Sequence, residues 1–223
     1  MKAFISWSGG KETMLSCYKA MKDKNIEVAG LLNMISEDGI HSRSHGIRAK
    51  ILKSQAEAIG IPILQKKATW NTYEAEFKSA VAELKSRGIV AGVFGDIDFQ
   101  PHRDWVERIC KETQIRAIMP LWGQTREEVL SDFMTAGFET VVVATQSDKL
   151  GSDWLGRKID KEFIKDLKEL GGIDLCGEAG EYHTFVTSGP IFKKRVILTK
   201  MNKINRDKHW FLDILNYEFS QTN

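Results

Sequence analysis

The sequence predicts an α/β fold in which a parallel sheet has helices on both faces, followed by a smaller α+β part. Strand-like and helix-like segments alternate about five times over the first 145 residues, which is the order that builds a parallel sheet. After residue 145 the alternation stops, and one helix-like segment precedes several short strand-like runs. A glycine-rich turn directly follows the first strand, at a position where such folds often bind an anion.

Each element of the first part has its own sequence signal. Residues 2–7 (KAFISW) form a short apolar run, and residues 11–24 repeat apolar side chains every three or four positions. Thr125 with Glu128 three residues later predicts a capping box at a helix start. The predicted strands are 2–7, 26–35, 61–64, 89–94, 115–119 and 138–144. The predicted helices are 11–24, 45–59, 72–86, 101–113 and 125–135.

Ligands of open parallel sheets bind outside the carboxyl ends of the strands, and this predicts where the site lies. The segments at those ends are 6–12, 34–45, 66–72, 95–104 and 120–124. In the second part, residues 160–170 predict a helix, and the runs FVTSG, RVILTK and HWFLDILNYEF predict strands. We therefore divide the chain into a domain of residues 1–145 and a smaller domain of residues 146–223.

Composition excludes several classes of protein. A net charge of +2 gives no global attraction to nucleic acid or to an anionic membrane, and no apolar run has the length of a membrane span. The cysteines Cys17, Cys110 and Cys176 are widely spaced and odd in number, which disfavours disulfides and metal-binding CxxC pairs. We expect a cytoplasmic protein with no nucleic-acid or membrane partner.

The turn at residues 8–13 (SGGKET) matches one of three phosphate-binding patterns. The Walker pattern fails because Glu12 follows Lys11 and Ile5 stands where its first glycine belongs. The dinucleotide pattern fails because the next glycine after Gly10 is Gly30. The remaining pattern is S-G-G-x-[DE]-[ST], which the turn satisfies. The alternative is a plain strand–helix turn capped by Ser8 without a ligand.

The residue types in this turn suit a pyrophosphate. The glycines allow a tight turn and a close approach of the backbone, and a helix N-terminus favours negative charge. Lys11 adds a positive charge. The groups expected to donate to the anion are the amides of Gly9, Gly10 and Lys11 and the hydroxyls of Ser6, Ser8 and Thr13.

The SGGK motif after the first strand resembles that of the PP-loop ATP pyrophosphatases, and a second motif narrows the resemblance. Residues 177–184 (GEAGEYHT), followed by Phe185, are similar to the E-x-G-E-[FY]-H-T signature of the diphthine–ammonia ligase family. Supporting stretches lie at 95–97, 120–122, 150–151 and 155–157, with Arg103 and Glu107, so the resemblance covers almost the whole chain. One departure is Glu12, where the loop usually has Asp.

The resemblance implies an ATP- and Mg²⁺-dependent, AMP-forming amide ligase of diphthamide biosynthesis. Such enzymes adenylate the diphthine carboxylate of elongation factor 2, release pyrophosphate, and let free ammonia displace AMP. Residues 1–145 would then bind ATP and residues 146–223 the substrate. Two alternatives stay open: amidation of a small carboxylate metabolite, and an ATP- or AMP-binding module without turnover. A homodimer is also left open.

The resemblance also assigns residues, which fall into four groups. The catalytic candidates are Lys11, Glu181 and His183. The ATP-binding candidates are Ser6, Trp7, Ser8, Gly9, Gly10, Lys11, Glu12, Thr13, Met34, His45, Gly95 and Asp96. The substrate-binding candidates are Glu178, Gly180, Glu181, Tyr182, His183 and Thr184, with the Tyr182 ring able to face the quaternary ammonium of diphthine. The metal candidate is Asp96.

Chemistry alone leaves a structural role open for several of these residues. The segment around Glu181 and His183 could be a hydrogen-bonded turn that locks the second part together, and Asp96 could cap the next helix. His45, near Ser42 and Ser44 at the predicted start of a helix, could contact phosphate or ribose, or could cap that helix. Trp7 is better suited to the core than to stacking on adenine. His41, His102 and His209 carry no signal beyond surface or capping use.

Overall fold

The computed structural model describes residues 1–43 and 45–221, which divide into two compact units. The first unit comprises Met1–Ser8, Glu12–Ser44 and Ile61–Gln124, and the second comprises Gly9–Lys11, His45–Gly60 and Thr125–Asn223. The strands are β1 Lys2–Ser6, β2 Glu27–Ile35, β3 Ile63–Lys67, β4 Ala91–Val93, β5 Arg116–Ile118, β6 Glu139–Gln146, β7 Tyr182–Ser188, β8 Lys194–Arg206 and β9 His209–Gln221. The helices are α1 Lys11–Lys22, α2 Ala49–Ile59, α3 Tyr73–Ser86, α4 Gln100–Glu112, α5 Arg126–Thr135 and α6 Lys161–Leu170.

The first unit contains a five-stranded parallel sheet in the order β3-β2-β1-β4-β5, as the alternating pattern predicts. Phe4 and Leu32 of the sheet share a buried apolar cluster with Phe77 of α3 and Val106 of α4. The connection from β1 to β2 runs in the opposite direction across the sheet. Because such crossovers are right-handed, α1 covers the other face. The predicted α/β class is confirmed.

The strand order reverses between β1 and β4, and this marks the ligand-binding edge of the sheet. In open α/β sheets, ligands bind at such a switch point outside the carboxyl ends of the strands. Gly95, just beyond β4, packs against the first turn of α1. A Cβ on Gly95 would lie 3.1 Å from the backbone nitrogen of Thr13 and 3.3 Å from the Cβ of Glu12. The loops after β1 and β4 therefore meet at the switch point, with no room for a side chain at Gly95.

The second unit contains a four-stranded antiparallel sheet in the order β7-β6-β9-β8. The strand predicted at 138–144 exists as β6, but it pairs antiparallel with β7 and β9 and does not extend the parallel sheet. A strand that follows a helix has the same sequence pattern whichever sheet it joins. The alternation of helices and strands therefore did not reveal that β6 lies outside the parallel sheet. Apart from the segments Gly9–Lys11 and His45–Gly60, the second unit begins at Thr125, earlier than the division at 145 that the sequence suggested.

One predicted helix start is wrong. His45 was expected to begin a helix, but α2 begins at Ala49. Gly46 has a φ of +65°, and Arg48 is extended with φ −60° and ψ 134°, so neither continues a helix toward His45. The remaining helices and strands start within three residues of their predicted starts, the largest difference being β7, which starts at Tyr182 and not at Phe185. Thr125 and Glu128 form the capping box expected of them. Among the described residues, no helix is long and apolar enough to cross a membrane.

Candidate functional site

The two glycines of the SGGKET turn lie where the neighbouring side chains leave no space for a Cβ. Gly9 has a φ of +83°, and a Cβ there would lie 2.4 Å from Cδ2 of Leu52. A Cβ on Gly10 would lie 2.6 Å from Cε1 of His45 and 3.3 Å from the carbonyl oxygen of Thr184. The tight turn expected at the glycines is thus present, with Gly9 in the left-handed region. The close approach at Gly10 is made by an imidazole of this chain.

Gln55 holds the turn from the buried face of α2. Its side chain is fully buried, and its Nε2 donates to the carbonyl oxygens of Gly9, at 3.0 Å, and Val186, at 2.6 Å. The amide of Val186 also donates to the Gly9 carbonyl, at 3.1 Å. The turn is therefore joined to β7 by both backbone and side-chain hydrogen bonds. Sequence reasoning missed Gln55, although a polar residue on the apolar stripe of a predicted helix is a usable signal.

Lys11 is buried, and the segment leading into β7 surrounds its side chain. Only 2% of Lys11 is exposed. Its ammonium donates to the carbonyl oxygen of Cys176, at 2.5 Å, and lies 4.6 Å from the centroid of the Tyr182 ring. Its backbone amide donates to Oγ1 of Thr184, at 3.1 Å. A buried ammonium needs such partners because an unpaired charge in the interior is very costly. Two distant sequence motifs therefore meet at one side chain.

Glu181 and Asp174 order the segment that surrounds Lys11. Glu181 is 5% exposed, and its two carboxylate oxygens accept from the amides of Asp174 and Ala179, each at 3.1 Å. Asp174 accepts from the amides of Cys176, at 2.8 Å, and Glu178, at 3.3 Å. This is the hydrogen-bonded turn that chemistry alone had left open for the motif. The catalytic role of Glu181 stays a prediction.

His45 and His183 form a stacked pair beside the turn. Their ring centroids are 4.4 Å apart, and the planes are inclined by 18°. Nδ1 of His45 donates to the carbonyl oxygen of Thr184, at 3.3 Å, so Nδ1 carries a hydrogen. Burial and the charge of Lys11 lower the pKa of His183 to about 4, with a further contribution from His209. Burial, His183 and Lys11 hold the pKa of His45 well below its usual range. Both rings are therefore neutral at pH 7.

Within the first unit, Ser8, Thr13 and Trp7 occupy the positions around the end of β1. The hydroxyls of Ser8 and Thr13 are 2.9 Å apart and hydrogen-bonded. Trp7 is 2% exposed, and its backbone carbonyl accepts from Nδ2 of Asn33, at 2.8 Å. Its burial agrees with a core role. Ser6 ends β1 and is partly buried.

Other predicted nucleotide contacts of the first unit lie at the ends of β2 and β4. Met34 packs in the apolar core, while its carbonyl accepts from the amide of Arg43, at 3.0 Å. Asp96 follows Gly95, and its carboxylate pairs with the imidazole of His102 on α4. Among residues 1–43 and 45–221, no group of three His, Cys, Asp or Glu side chains could hold a metal ion. A metal at Asp96 would therefore need phosphate and water as its other ligands, as Mg²⁺ commonly has.

The structure brings some of the predicted site residues into direct contact with one another. Within the second unit, direct contacts join Lys11, His45, Tyr182, His183 and Thr184. Glu178 is exposed and Gly180 is partly buried. Ser44, named with His45 in the sequence reading, lies outside the described residues. Sequence reasoning missed the Cys176 carbonyl, which binds Lys11, and missed Asp174 and Arg126, which contact Cys176, since only the folded chain brings these groups together.

Family models cover most of the chain. Residues 1–117 match the diphthamide synthase N-terminal domain, and residues 125–220 match the diphthamide synthase C-terminal domain. The two matches meet near Gln124, where the first unit ends.

Curated relatives agree with these models. A Bos taurus protein named diphthine–ammonia ligase is 24% identical over 238 residues, covering 95% of this chain and 88% of the relative. A Homo sapiens protein of the same name is 25% identical over 217 residues, covering 86% of this chain and 80% of the relative. A Schizosaccharomyces pombe protein, also so named, is 26% identical, covering 89% of this chain but 36% of the relative.

A solved structure from Methanocaldococcus jannaschii, described as a "predicted subunit of tRNA methyltransferase", superposes with a TM-score of 0.45. The two sequences are 15% identical, and the alignment covers 85% of this chain and 98% of the Methanocaldococcus jannaschii chain. The family matches, which span both units and both motifs, establish that the chain belongs to the diphthamide synthase family.

Proposed function

We propose that the chain is a diphthine–ammonia ligase that uses ATP to amidate the diphthine carboxylate of elongation factor 2. A carboxylate oxygen attacks the α-phosphorus of ATP, the bond to the β-phosphate breaks, and pyrophosphate leaves. Ammonia then attacks the acyl carbon of the adenylate, the bond to AMP breaks, and the nitrogen gives up one proton to solvent to leave the amide. The family membership and the names of the relatives support this chemistry.

The observation that carries the proposal is the environment of Lys11. The ammonium of Lys11, from the SGGKET turn, is held by the Cys176 carbonyl and by the ring of Tyr182, which belongs to the second motif. A charge held in a fixed, water-poor position stabilises a developing anion more than a mobile surface charge does, because no reorganisation is needed. Lys11 is therefore proposed to offset the charge that gathers at the α-phosphate.

The histidine pair is proposed to serve the ammonia step. His183 is neutral at pH 7, since burial holds its pKa at about 4. A neutral imidazole has a nitrogen that can accept a hydrogen bond from ammonia. A protonated imidazole has no such acceptor, and its charge would also repel ammonium. Tyr182, whose ring already faces one cation, and Thr184 complete the proposed substrate side with Glu178 and Gly180.

The remaining nucleotide contacts are proposed at the switch point of the parallel sheet. Thr13 and Glu12 in the first turn of α1 lie against Gly95, with Ser8 bonded to Thr13. Asp96 is proposed to hold Mg²⁺ together with phosphate oxygens and water, where the ion would neutralise phosphate charge. A cytoplasmic location is kept as part of the proposal.

A labelled transfer assay tests the function. The protein is incubated with ATP, Mg²⁺, ¹⁵N-ammonium and diphthine-modified elongation factor 2, and we expect AMP, pyrophosphate and ¹⁵N in the modified histidine. Parallel reactions replace the protein acceptor with small carboxylic acids. Transfer only to small acids would redirect the proposal to a metabolite amidase. Protection by ATP against unfolding, with no AMP from any acceptor, would leave a binding module.

A further inference from the structure

We propose that Asp174, paired with Arg126, is a positioning residue that sets the place of the Lys11 ammonium. This inference rests on the proposed function, in which the Lys11 ammonium offsets the negative charge at the α-phosphate. It says which residue keeps that ammonium in position. It concerns residues outside both sequence motifs. Asp174 and Arg126 are separated by 48 positions and come together only in the folded second unit.

The segment that surrounds Lys11 has little regular secondary structure of its own. Residues 171–181 form turns and bends between α6 and β7. Gly177 has a φ of +73°, and a Cβ there would lie 2.6 Å from the carbonyl oxygen of Tyr182. Tyr182 in turn donates its hydroxyl to the carbonyl of Leu175, at 2.5 Å. Such a tightly folded segment needs hydrogen-bond partners that a helix or sheet would otherwise provide.

Asp174 provides those partners next to the group that binds Lys11. One of its oxygens accepts from the amide of Cys176, at 2.8 Å, and the carbonyl of the same residue accepts from the Lys11 ammonium, at 2.5 Å. Fixing the Cys176 amide fixes the residue whose carbonyl receives the charge. Glu181 supports the same segment by accepting from the amide of Asp174, at 3.1 Å.

Arg126 anchors Asp174 to a helix. Its Nε donates to the other carboxylate oxygen of Asp174, at 2.8 Å, in a pair whose side chains are 20% and 23% exposed. Its carbonyl accepts a weak hydrogen bond from Sγ of Cys176, at 3.7 Å. Arg126 is the first residue of α5, which starts at the capping box of Thr125 and Glu128.

The charge state of Asp174 suits this role. Burial by itself raises the pKa of Asp174, but hydrogen bonds from Arg126 and from the amides of Cys176 and Glu178 outweigh it and leave the pKa below its usual range. The carboxylate is therefore ionised at neutral pH and makes charge-assisted bonds, which are stronger than neutral ones. The connections run from α5 through Arg126 and Asp174 to Cys176 and Lys11.

Chemical labelling of Lys11 tests the inference without any need for turnover. The full-length protein is treated briefly with acetic anhydride, and the labelling rate of Lys11 is measured by mass spectrometry relative to Lys165, which is 71% exposed. Asp174→Asn removes the charge paired with Arg126 and weakens the charge-assisted bonds that order the segment around Lys11. The reagent should then reach Lys11 more easily, and we expect Lys11 to label about tenfold faster. The matched control is Asp166→Asn, which breaks the 2.5 Å pair with Arg157 in the same unit. It should leave Lys11 labelling unchanged.

A kinetic measurement then separates this inference from the proposed function. If the wild-type protein forms AMP, Asp174→Asn should lower the kcat of AMP formation about tenfold. The thermal unfolding midpoints of Asp174→Asn and of the control Asp166→Asn should stay similar. Unchanged Lys11 labelling in folded Asp174→Asn would overturn the positioning role, even if the wild-type protein forms AMP. Faster labelling without AMP formation by wild type would retain the positioning role and reject the ligase. Should Asp174→Asn not fold, Arg126→Gln is labelled instead, with the same two readings.

Discussion

The SGGKET turn has two parts that are held in different ways. Gly9–Lys11 belongs to the second unit, where Gln55, Val186, Thr184 and Cys176 bind its backbone or side chain. Ser8 and Thr13 belong to the first unit, and their hydroxyls bond each other at 2.9 Å. The part that carries the Lys11 charge is therefore held by several neighbouring residues. The bond between the two hydroxyls is neutral, whereas a phosphate oxygen would accept stronger, charge-assisted bonds from the same groups.

The difference teaches which property of the turn the rest of the chain maintains. A cation that must stabilise a transition state gains from being fixed before the substrate arrives. Hydroxyl donors can reorient at little cost, because the hydroxyl hydrogen rotates to suit its acceptor. We infer that the second unit of this chain maintains the position of Lys11.

The largest effect is expected from removing the charge itself. Lys11→Met keeps much of the side-chain volume but removes the ammonium, and we expect AMP formation to fall by about a hundredfold or more. The measurement is the rate of AMP release with ATP and the modified elongation factor. Lys165→Met, at a side chain that is 71% exposed, is the matched control and should retain its rate. A Lys11→Met enzyme that keeps its rate would remove Lys11 from the chemistry.

The close approach at Gly10 gives the next largest effect. Gly10→Ala places a Cβ 2.6 Å from Cε1 of His45, so the ring or the turn must move, at a cost of about 1–3 kcal/mol in the free energy of unfolding. Denaturant unfolding measures that cost. Gly151→Ala is the control, because an added Cβ there meets nothing within 4 Å.

A double variant sharpens this result. His45→Ala removes the ring that collides with the new Cβ, so the cost of Gly10→Ala should shrink when both changes are combined. If the two costs simply add, the clash is with something other than His45. The carbonyl of Thr184, 3.3 Å from the added Cβ, would be the next group to consider.

The Gln55 contacts predict a smaller loss. Gln55→Leu has a similar volume but cannot donate to the carbonyls of Gly9 and Val186, and we expect a loss of about 1–2 kcal/mol, since buried acceptors are left without that donor. Gln100→Leu is the control: Gln100 is exposed, and its amide donates to Asp104 on its own helix. Equal stability of the two variants would show that Gln55 does not hold the turn.

The contrast between the two parts of the turn also shows what the sequence could predict. The order of helices and strands, the turn at Gly9 and the capping box at Thr125 depend on residues close together in the chain. Those features were predicted because their signals are local. The family resemblance added the second motif, and so named Tyr182 and Thr184 before their contacts with Lys11 were known.

The features that escaped prediction depend on distant pairs. Lys11 and Cys176 are 165 positions apart, and nothing in either segment indicates that a carbonyl will receive the ammonium. The sheet that β6 joins is decided by β7 and β9, which come later in the chain. The resemblance named Glu181 as a catalytic candidate, and that role stays a prediction; the hydrogen bonds that its oxygens accept from the amides of Asp174 and Ala179 could not be predicted from the sequence.

The smallest effect concerns the pH dependence of stability at His183. Burial, assisted by Lys11 and His209, lowers the pKa of His183 in the folded protein to about 4, whereas an unfolded histidine titrates near 6.5. Between these two values the unfolded chain binds more protons, so this contribution to stability is complete above about pH 6.5 and decreases as the pH falls toward 4. From pH 7.5 to pH 6.0 the expected loss is about 1 kcal/mol or less.

Comparison with His183→Gln isolates that loss, because most other titrating groups are the same in both proteins. The wild-type protein should lose more stability than the variant between pH 7.5 and 6.0, and the difference between them should stay constant from pH 7.5 to 9, where His183 is neutral folded and unfolded. His45, stacked on His183, is the one neighbour whose own pKa should rise in the variant, because His183 helps to lower it. A constant difference across the whole range would mean that His183 titrates normally in the fold. The ring would then be protonated near pH 6 and repel ammonium, and the ammonia step proposed for this pair would lose its acceptor.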